Sequence, residues 1–173
     1  DVCSSDLEKR CKCLNGKQNK RESMRAVIQK VIRAILKTDS QPYSEISEGL
    51  MVLLGIEESD TEEDIEWLSG KIRRLRVFDD QEGVMNLSVE DVNGELMVVS
   101  QFTLHASTKK GNRPSYLRAA KPEFSKPMYE KFVATIQQGF PKEVKTGVFG
   151  ADMQIELVNN GPTTIIIDTK NKE

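Results

Sequence analysis

Two short segments concentrate the groups able to do chemistry. Ser100-Gln101-Phe102-Thr103-Leu104 sets hydroxyls and an amide where the apolar run Leu96-Met97-Val98-Val99 stops. Asn160-Gly161-Pro162-Thr163-Thr164 follows the alternating Met153, Ile155 and Leu157, and it joins a residue without a side chain to one without flexibility. On the residues alone, each has a plain explanation, and that explanation is the stronger one. Ser100–Leu104 is then the end of a buried strand, with Phe102 and Leu104 on one face and Gln101 and Thr103 on the other. Asn-Gly between alternating strands is the strongest short hairpin signal. Against the plain reading of the first segment stands its polar clustering, because buried polar groups need a ligand or a network to offset their desolvation.

The absent groups narrow the chemistry further. His105 is the only histidine, so no Ser-His-Asp or Cys-His set can be assembled and a triad hydrolase is excluded. His105 itself reads as a polar strand-end residue rather than a base. Thr103 is the protein nucleophile candidate by placement, although an unassisted hydroxyl attacks weakly. No carboxylate cluster shows metal-ligand spacing. Cys3, Cys11 and Cys13 are the only cysteines, and Cys-Lys-Cys without a nearby histidine is a poor zinc site. Neither a metal nor another cofactor is expected, and the body from Met24 onward has no disulfide to rely on.

The apolar pattern predicts the elements that must position these residues. Arg25 to Leu36, rich in Val and Ile without helix caps, predicts a strand, and Leu50 to Ile56 a buried one. Asp39-Ser40-Gln41-Pro42 between them reads as a turn. Thr61-Glu62-Glu63-Asp64 starts a helix with a hydroxyl cap and acids in its first turn, and Arg73, Arg74 and Arg76 lie near its far end. Ile65, Leu68, Ile72 and Leu75 supply its inward stripe. Val77-Phe78 predicts a strand before the polar turn of Asp79 to Gly83, and Val92-Asn93-Gly94-Glu95 a turn before a central strand from Leu96 to His105. Lys109 to Pro114 is a basic loop. Phe124, Met128, Phe132 and Ile136 recur every four residues as a second amphipathic helix, ended by Gly139 and Pro141. Met153 to Leu157 is a strand, the Asn-Gly-Pro turn reverses the chain, and Thr164 to Asp168 returns. The order predicts an α+β (or α/β) fold: a single domain with a mixed, mostly antiparallel sheet and two principal helices.

A chain of 173 residues, 38% hydrophobic and 30% charged, has the size and composition of one globular domain with a sizeable core. Residues 1–23 hold six Lys/Arg and four Asp/Glu with almost no apolar periodicity, so they read as a polar extension, disordered or artefactual. Residues 24–173 form the domain. They keep 19 of the 25 basic and 23 of the 27 acidic residues, a net charge of −4. That is not the profile of a protein that coats nucleic acid through its phosphates, and no DNA partner is expected. The longest apolar run, Leu50 to Leu54, is too short to cross a bilayer, and no signal sequence opens the chain, so a cytoplasmic protein without a membrane partner is expected.

Taken together and in this order, the two segments resemble the paired signatures of the D-aminoacyl-tRNA deacylases, also called D-tyrosyl-tRNA deacylases. The likeness runs from Met24-Arg25-Ala26-Val27-Ile28-Gln29 through Phe149-Gly150-Ala151-Asp152-Met153-Gln154 to about Thr169. It implies a homodimeric ester hydrolase that acts at the 3′ acceptor end of aminoacyl-tRNA and frees tRNA from D-amino acids and from achiral glycine. It also implies that Ser100 to Leu104 lines the pocket for the terminal adenosine and its aminoacyl ester. Ser100 and Met153 then bind substrate and Phe102 packs on the nucleoside. Main-chain N–H groups near Phe102 and Thr103 face the ester carbonyl, where fixed donors stabilise developing charge. Gln101, Phe102 and Thr103 are the catalytic candidates on this likeness, with water activated by positioning and the substrate's free ribose hydroxyl as the preferred mechanism.

For Gly161-Pro162 the resemblance implies a cis peptide unit that enters the active site of a second subunit. L- and D-aminoacyl esters carry identical groups, so attraction separates them poorly, whereas rigid main chain pressed against the α-carbon excludes the L side chain. The carbonyls of Gly161 and Pro162 then hold the amino group. Many family members have Arg where this chain has Lys30, which keeps the charge but loses the planar fork. If that position braces the Gly-Pro element, chirality is guarded less tightly here. Thr163, often Val in relatives, is expected to be harmless. Lys109, Lys110 and Arg113, with Arg118 and Lys121, are either a solvated face or contacts for acceptor-stem phosphates. Two rival readings stay open. An editing deacylase for a miscoupled L-amino acid is told apart by stereochemistry, and a non-catalytic module for the aminoacyl or CCA end by protection without turnover.

Overall fold

Val and Ile recur through Arg25–Thr38, and this stretch forms β1, to which three other strands are tied. The computed structural model describes residues 23–39 and 41–172, so the predicted extension, apart from Ser23, lies outside the described residues. After β1 come β2 (Gln41–Ile46), β3 (Gly49–Gly55), α1 (Glu62–Arg73), β4 (Phe78–Asp79), β5 (Met85–Leu87) and β6 (Glu95–Ser100). A 3-10 turn (Phe102–His105), α2 (Pro122–Gln137), β7 (Lys145–Thr146) and β8 (Met153–Asp168) complete the chain. β8 runs antiparallel along all of β1, whose other edge carries β3 opposite its first half and β2 opposite its second. β6 lies parallel to β3, and β7 parallel to β6. The Ser44 hydroxyl of β2 donates to the Thr146 carbonyl of β7 at 2.9 Å, which curls this mostly antiparallel sheet nearly into a barrel. Among the described residues the architecture is a single α+β domain with two α-helices.

β3 and β6 are apolar on both faces because both faces are covered. Leu50, Val52, Leu54, Leu96 and Val98 face the helices, where they meet Leu68 and Ile72 of α1 and Phe132 and Ile136 of α2. Met51, Met97 and Val99 face the inside of the curl and pack with Val31, Leu36 and Ile46. α1 starts as predicted, with the Asp64 carboxylate accepting both the N–H and the hydroxyl of Thr61 at 2.9 Å. In α2 the fully inward positions are Ser125, Tyr129, Phe132 and Ile136, while Phe124 and Met128 are only partly buried. A spacing of four drifts off a 3.6-residue turn, and the stripe moves one residue over. Tyr129 donates its hydroxyl to the Val98 carbonyl at 2.8 Å, and burial pushes its ionisation up to about 12.

Three expectations change. The Asp39–Pro42 turn is tighter than predicted: Thr38 already pairs with Gln41, and Pro42 sits within β2 opposite Lys37, where the register slips. The strand expected from Leu96 to His105 stops at Ser100 and becomes the 3-10 turn, so the predicted two-faced alternation of Gln101 to Leu104 does not occur. Asn160-Gly161-Pro162 does not reverse the chain. Both flanks pair with β1 in one continuous direction, Val31 opposite Asn159 and Gln29 opposite Thr164, and the residues from Asn160 to Thr163 bulge out beside Lys30. An Asn-Gly hairpin needs the residue after Gly to donate the closing bond, and Pro162 has no N–H.

Candidate active site

The 3-10 turn exists because β3 ends in a glycine. The N–H of Gln101 donates to the Leu54 carbonyl at 2.7 Å, and the chain then folds across Gly55. A side chain at Gly55 would stand 2.8 Å from His105 Nε2, 3.0 Å from Leu104 Cβ and 3.1 Å from the Gln101 oxygen. Arg25 holds the far side: its guanidinium donates to the Leu104 carbonyl at 3.2 Å and to the Asp168 carboxylate at 3.0 Å. The first N–H groups of such a turn, those of Phe102 and Thr103, have no acceptor within it, which makes them fixed donors at its open end.

Beside the turn lies a cleft of about 620 Å³ at the meeting of β6, the start of α2 and the start of β8. Ser100, Gln101, Phe102 and Met153, four residues singled out from the sequence, line it together. Phe102 is half exposed and stands edge-on to Tyr116, with ring centroids 5.1 Å apart and planes at 74°. Sequence reasoning missed the opposite wall, formed by Tyr116, Ala119, Ala120 and the Phe149-Gly150-Ala151 segment. Paired small residues before a strand and before a helix were the available signal, since small side chains leave room at a cleft.

Thr103 does not line the cleft, but its hydroxyl accepts from the Gln101 amide at 2.5 Å. That bond orients both groups and withdraws electron density from the oxygen. His105 is no base for it. It is fully buried with Nδ1 2.8 Å from a Glu57 carboxylate oxygen, which Arg118 also approaches to 3.3 Å. Burial, with Arg25 and Arg118 nearby, pushes the His105 ionisation below its ordinary value, against the Gly55 main-chain bond and Asp168. Among the described residues, no group of three or more His, Cys, Asp or Glu is placed to hold a metal ion. No helix among them is long and apolar enough to cross a membrane.

Of the remaining sequence candidates, Lys121 also lines the cleft and the others lie elsewhere. Gly161 and Pro162 form the exposed tip of the β8 bulge, joined by a cis peptide bond, with Gly161 at φ 122°. The Asn159 amide spans the bulge, accepting from the Thr163 N–H at 2.9 Å and donating to the Thr164 hydroxyl at 3.0 Å. This tip is not part of the cleft of its own protomer. Lys30 is buried, its ammonium 3.5 Å from Asp79 and 5.7 Å from the Phe78 ring centroid. Lys109, Lys110 and Arg113 are exposed on a loop closed by paired Ser107 and Ser115 main-chain bonds. Arg118, grouped with them on sequence, turns inward to Glu57.

Residues 27–168 match the family described as D-Tyr-tRNA(Tyr) deacylase. A D-aminoacyl-tRNA deacylase of Parabacteroides distasonis is 61% identical over 150 residues, covering 87% of this chain and all of that one. The Flavobacterium johnsoniae D-aminoacyl-tRNA deacylase is 57% identical over the same span. Among solved structures, a c-Myc DNA unwinding element binding protein superposes with a TM-score of 0.79 at 39% identity, covering 83% of this chain and 97% of that one. A probable eukaryotic D-amino acid tRNA deacylase shares the fold with a TM-score of 0.72 at 17% identity, covering 84% and 99%.

Proposed function

The chain belongs to the D-Tyr-tRNA(Tyr) deacylase family and hydrolyses the ester of D-aminoacyl-tRNA; from that premise we propose how its cleft and its bulge divide the work. The observation that carries the reading is the convergence of Ser100, Gln101, Phe102 and Met153 on one cleft beside the open end of the 3-10 turn. The terminal adenosine packs on the Phe102–Tyr116 pair, and the ester carbonyl points at the N–H groups of Phe102 and Thr103. Water attacks the carbonyl carbon, the negative charge on the carbonyl oxygen meets those fixed donors, and collapse breaks the bond to the ribose oxygen, which leaves with a proton. Water is favoured over Thr103 as nucleophile because that hydroxyl already accepts from Gln101 and His105 is turned toward Glu57.

Handedness is read by a second copy of the chain. In this proposal the Gly161-Pro162 tip of one protomer enters the partner's cleft, its carbonyls taking the amino group and its main chain occupying the space an L side chain needs. The exposure of the tip supports this, as do the flanking apolar side chains Val158 and Ile166, 48% and 71% exposed, on a strand whose one pairing partner among the described strands is β1. The deacylase domain is residues 24–173, it acts on aminoacyl-tRNA in the cytoplasm, and Lys109, Lys110 and Arg113 meet the acceptor-stem phosphates. Glycyl-tRNA, which has no side chain to exclude, is also cleaved. The test is deacylation of D- and L-tyrosyl-tRNA by the purified chain, with its mass in solution measured alongside. The expected result is a dimer that cleaves the D-ester at least about a hundredfold faster. Equal rates, or an active lone protomer, refute it.

A further inference from the structure

Glu57 and His105 have no part in the chemistry above, yet both are completely buried immediately behind the cleft. Burying a carboxylate is costly even when it is paired, and the chain retains this one, held against His105 and Arg118, beside the cleft. Glu57 follows Ile56, which lines the cleft, and its own N–H donates to Asp60 at 2.8 Å. Its carboxylate reaches His105, the last residue of the 3-10 turn, and Arg118, which lies between cleft residues Tyr116 and Ala119. The Ala120 N–H adds a bond to the Ile56 carbonyl at 3.0 Å. One buried side chain therefore gathers the end of β3, the turn bearing Phe102 and the wall bearing Tyr116.

We propose that Glu57 and His105 are positioning residues for deacylation: their buried contact fixes the height of the 3-10 turn against the Tyr116–Ala120 wall, and so the place of the N–H groups that meet the ester carbonyl. This rests on the reading of that turn given above. The groups facing His105 are Glu57 from the segment after β3, Gly55 from its end, Arg25 and Asp168 from β1 and β8, and Arg118 from the wall. None of these groups lines the cleft, so their effect on rate runs through main-chain position. A misplacement approaching 1 Å at such donors costs about a hundredfold in rate, while nucleoside packing on Phe102 and Tyr116 tolerates more.

The experiment compares the full chain with its His105→Ala, His105→Asn and Glu57→Gln variants. It reads single-turnover deacylation of D-tyrosyl-tRNA at saturating enzyme, the half-saturating concentration and a thermal melt. His105→Ala is expected to lose about ten- to a hundredfold in the saturated rate with half-saturation within about threefold of wild type. His105→Asn, whose amide can still meet Glu57, should recover most of that loss. A saturated rate for His105→Ala within about twofold of wild type overturns the inference, as does equal slowing of the Ala and Asn variants. Where His105→Ala does not fold, Glu57→Gln decides: slowed with unchanged half-saturation supports it, unslowed overturns it. A wild-type chain that leaves the D-ester intact removes the reading of the cleft as well, which separates the two failures.

Discussion

Gly55→Ala perturbs the 3-10 turn, to which the proposal assigns the oxyanion donors, without altering any residue that lines the cleft. The added methyl would stand 2.8 Å from His105 Nε2, 3.0 Å from Leu104 Cβ and 3.1 Å from the Gln101 oxygen. Comfortable separations are about 3.5–4.0 Å, so the turn must lift off β3 by roughly half an ångström. Overpacking of this kind costs about 1–3 kcal/mol, partly offset by about 0.4–1 kcal/mol from a less flexible unfolded chain. For a chain of this size, a net cost of about 1–2 kcal/mol lowers Tm by roughly 2–8 °C. The same lift moves the N–H groups of Phe102 and Thr103, and half the displacement that costs a hundredfold predicts about a tenfold slower single-turnover deacylation. Both readouts come from one preparation, a melt and a saturating single-turnover course on D-tyrosyl-tRNA. A variant that melts like wild type and cleaves within about twofold of its rate would refute the claim that close approach at Gly55 sets the turn.

Thr103→Val removes the acceptor of the Gln101 amide and is expected to slow single turnover by about tenfold; a loss beyond about a thousandfold would make Thr103 the nucleophile and refute attack by water. Replacing Lys109 and Lys110 together by Ala should raise KM several-fold and lower its logarithmic salt slope by about 1.4–1.8, and an unchanged slope removes both from the tRNA path. Asp60 ionises at about 6 rather than 3.8, chiefly through burial, with Asp64 adding to the rise and the Glu57 N–H bond opposing it. The unfolded chain therefore releases this proton first, and stability falls as pH rises from about 4 to 6. Asp60→Asn keeps an acceptor for the Glu57 N–H and should be about 1–2 kcal/mol more stable than wild type at pH 7.5, with the gain gone at pH 4. Urea melts at the two pH values check this, and a variant weaker at both contradicts it.

Elements governed by local periodicity were legible in the chain. β1, β3 and α1 lie where Val-Ile runs, Gly55 and the Thr61 cap put them, because apolar spacing and helix caps act over a few residues. The two segments singled out for chemistry take shapes other than those predicted, each for a tertiary reason. Gln101 to Leu104 keeps a strand's alternation, and its 3-10 path depends on Gly55, far off in sequence. Asn160-Gly161 carries a hairpin's signal, but β1 is long enough at 14 residues to pair with both flanks at once. Pro162 was the local clue against reversal. Tyr116 and the Phe149–Ala151 wall were not assigned to the site, although small residues there offered a signal, since their place in the cleft is set by where α2 and β8 begin.

A filter that works by exclusion needs position more than affinity, and for the filter proposed above β1 supplies a common reference for both parts. Val31 and Gln29 pair with Asn159 and Thr164, so the two feet of the bulge stand on adjacent stretches of one strand, and the Asn159 amide braces the span between them. At the start of the same strand, Arg25 reaches both the Leu104 carbonyl of the turn and Asp168 at the end of β8. On the proposed dimer, each cleft is then bounded by its own turn, referred to one β1, and by the partner's tip, referred to the other. The gap that decides between an L and a D side chain becomes a distance between two paired strands, the stiffest elements available. On this proposal a chain without a conventional base rejects an isomer that offers the same contacts by main chain that cannot yield, rather than by side chains that could adapt.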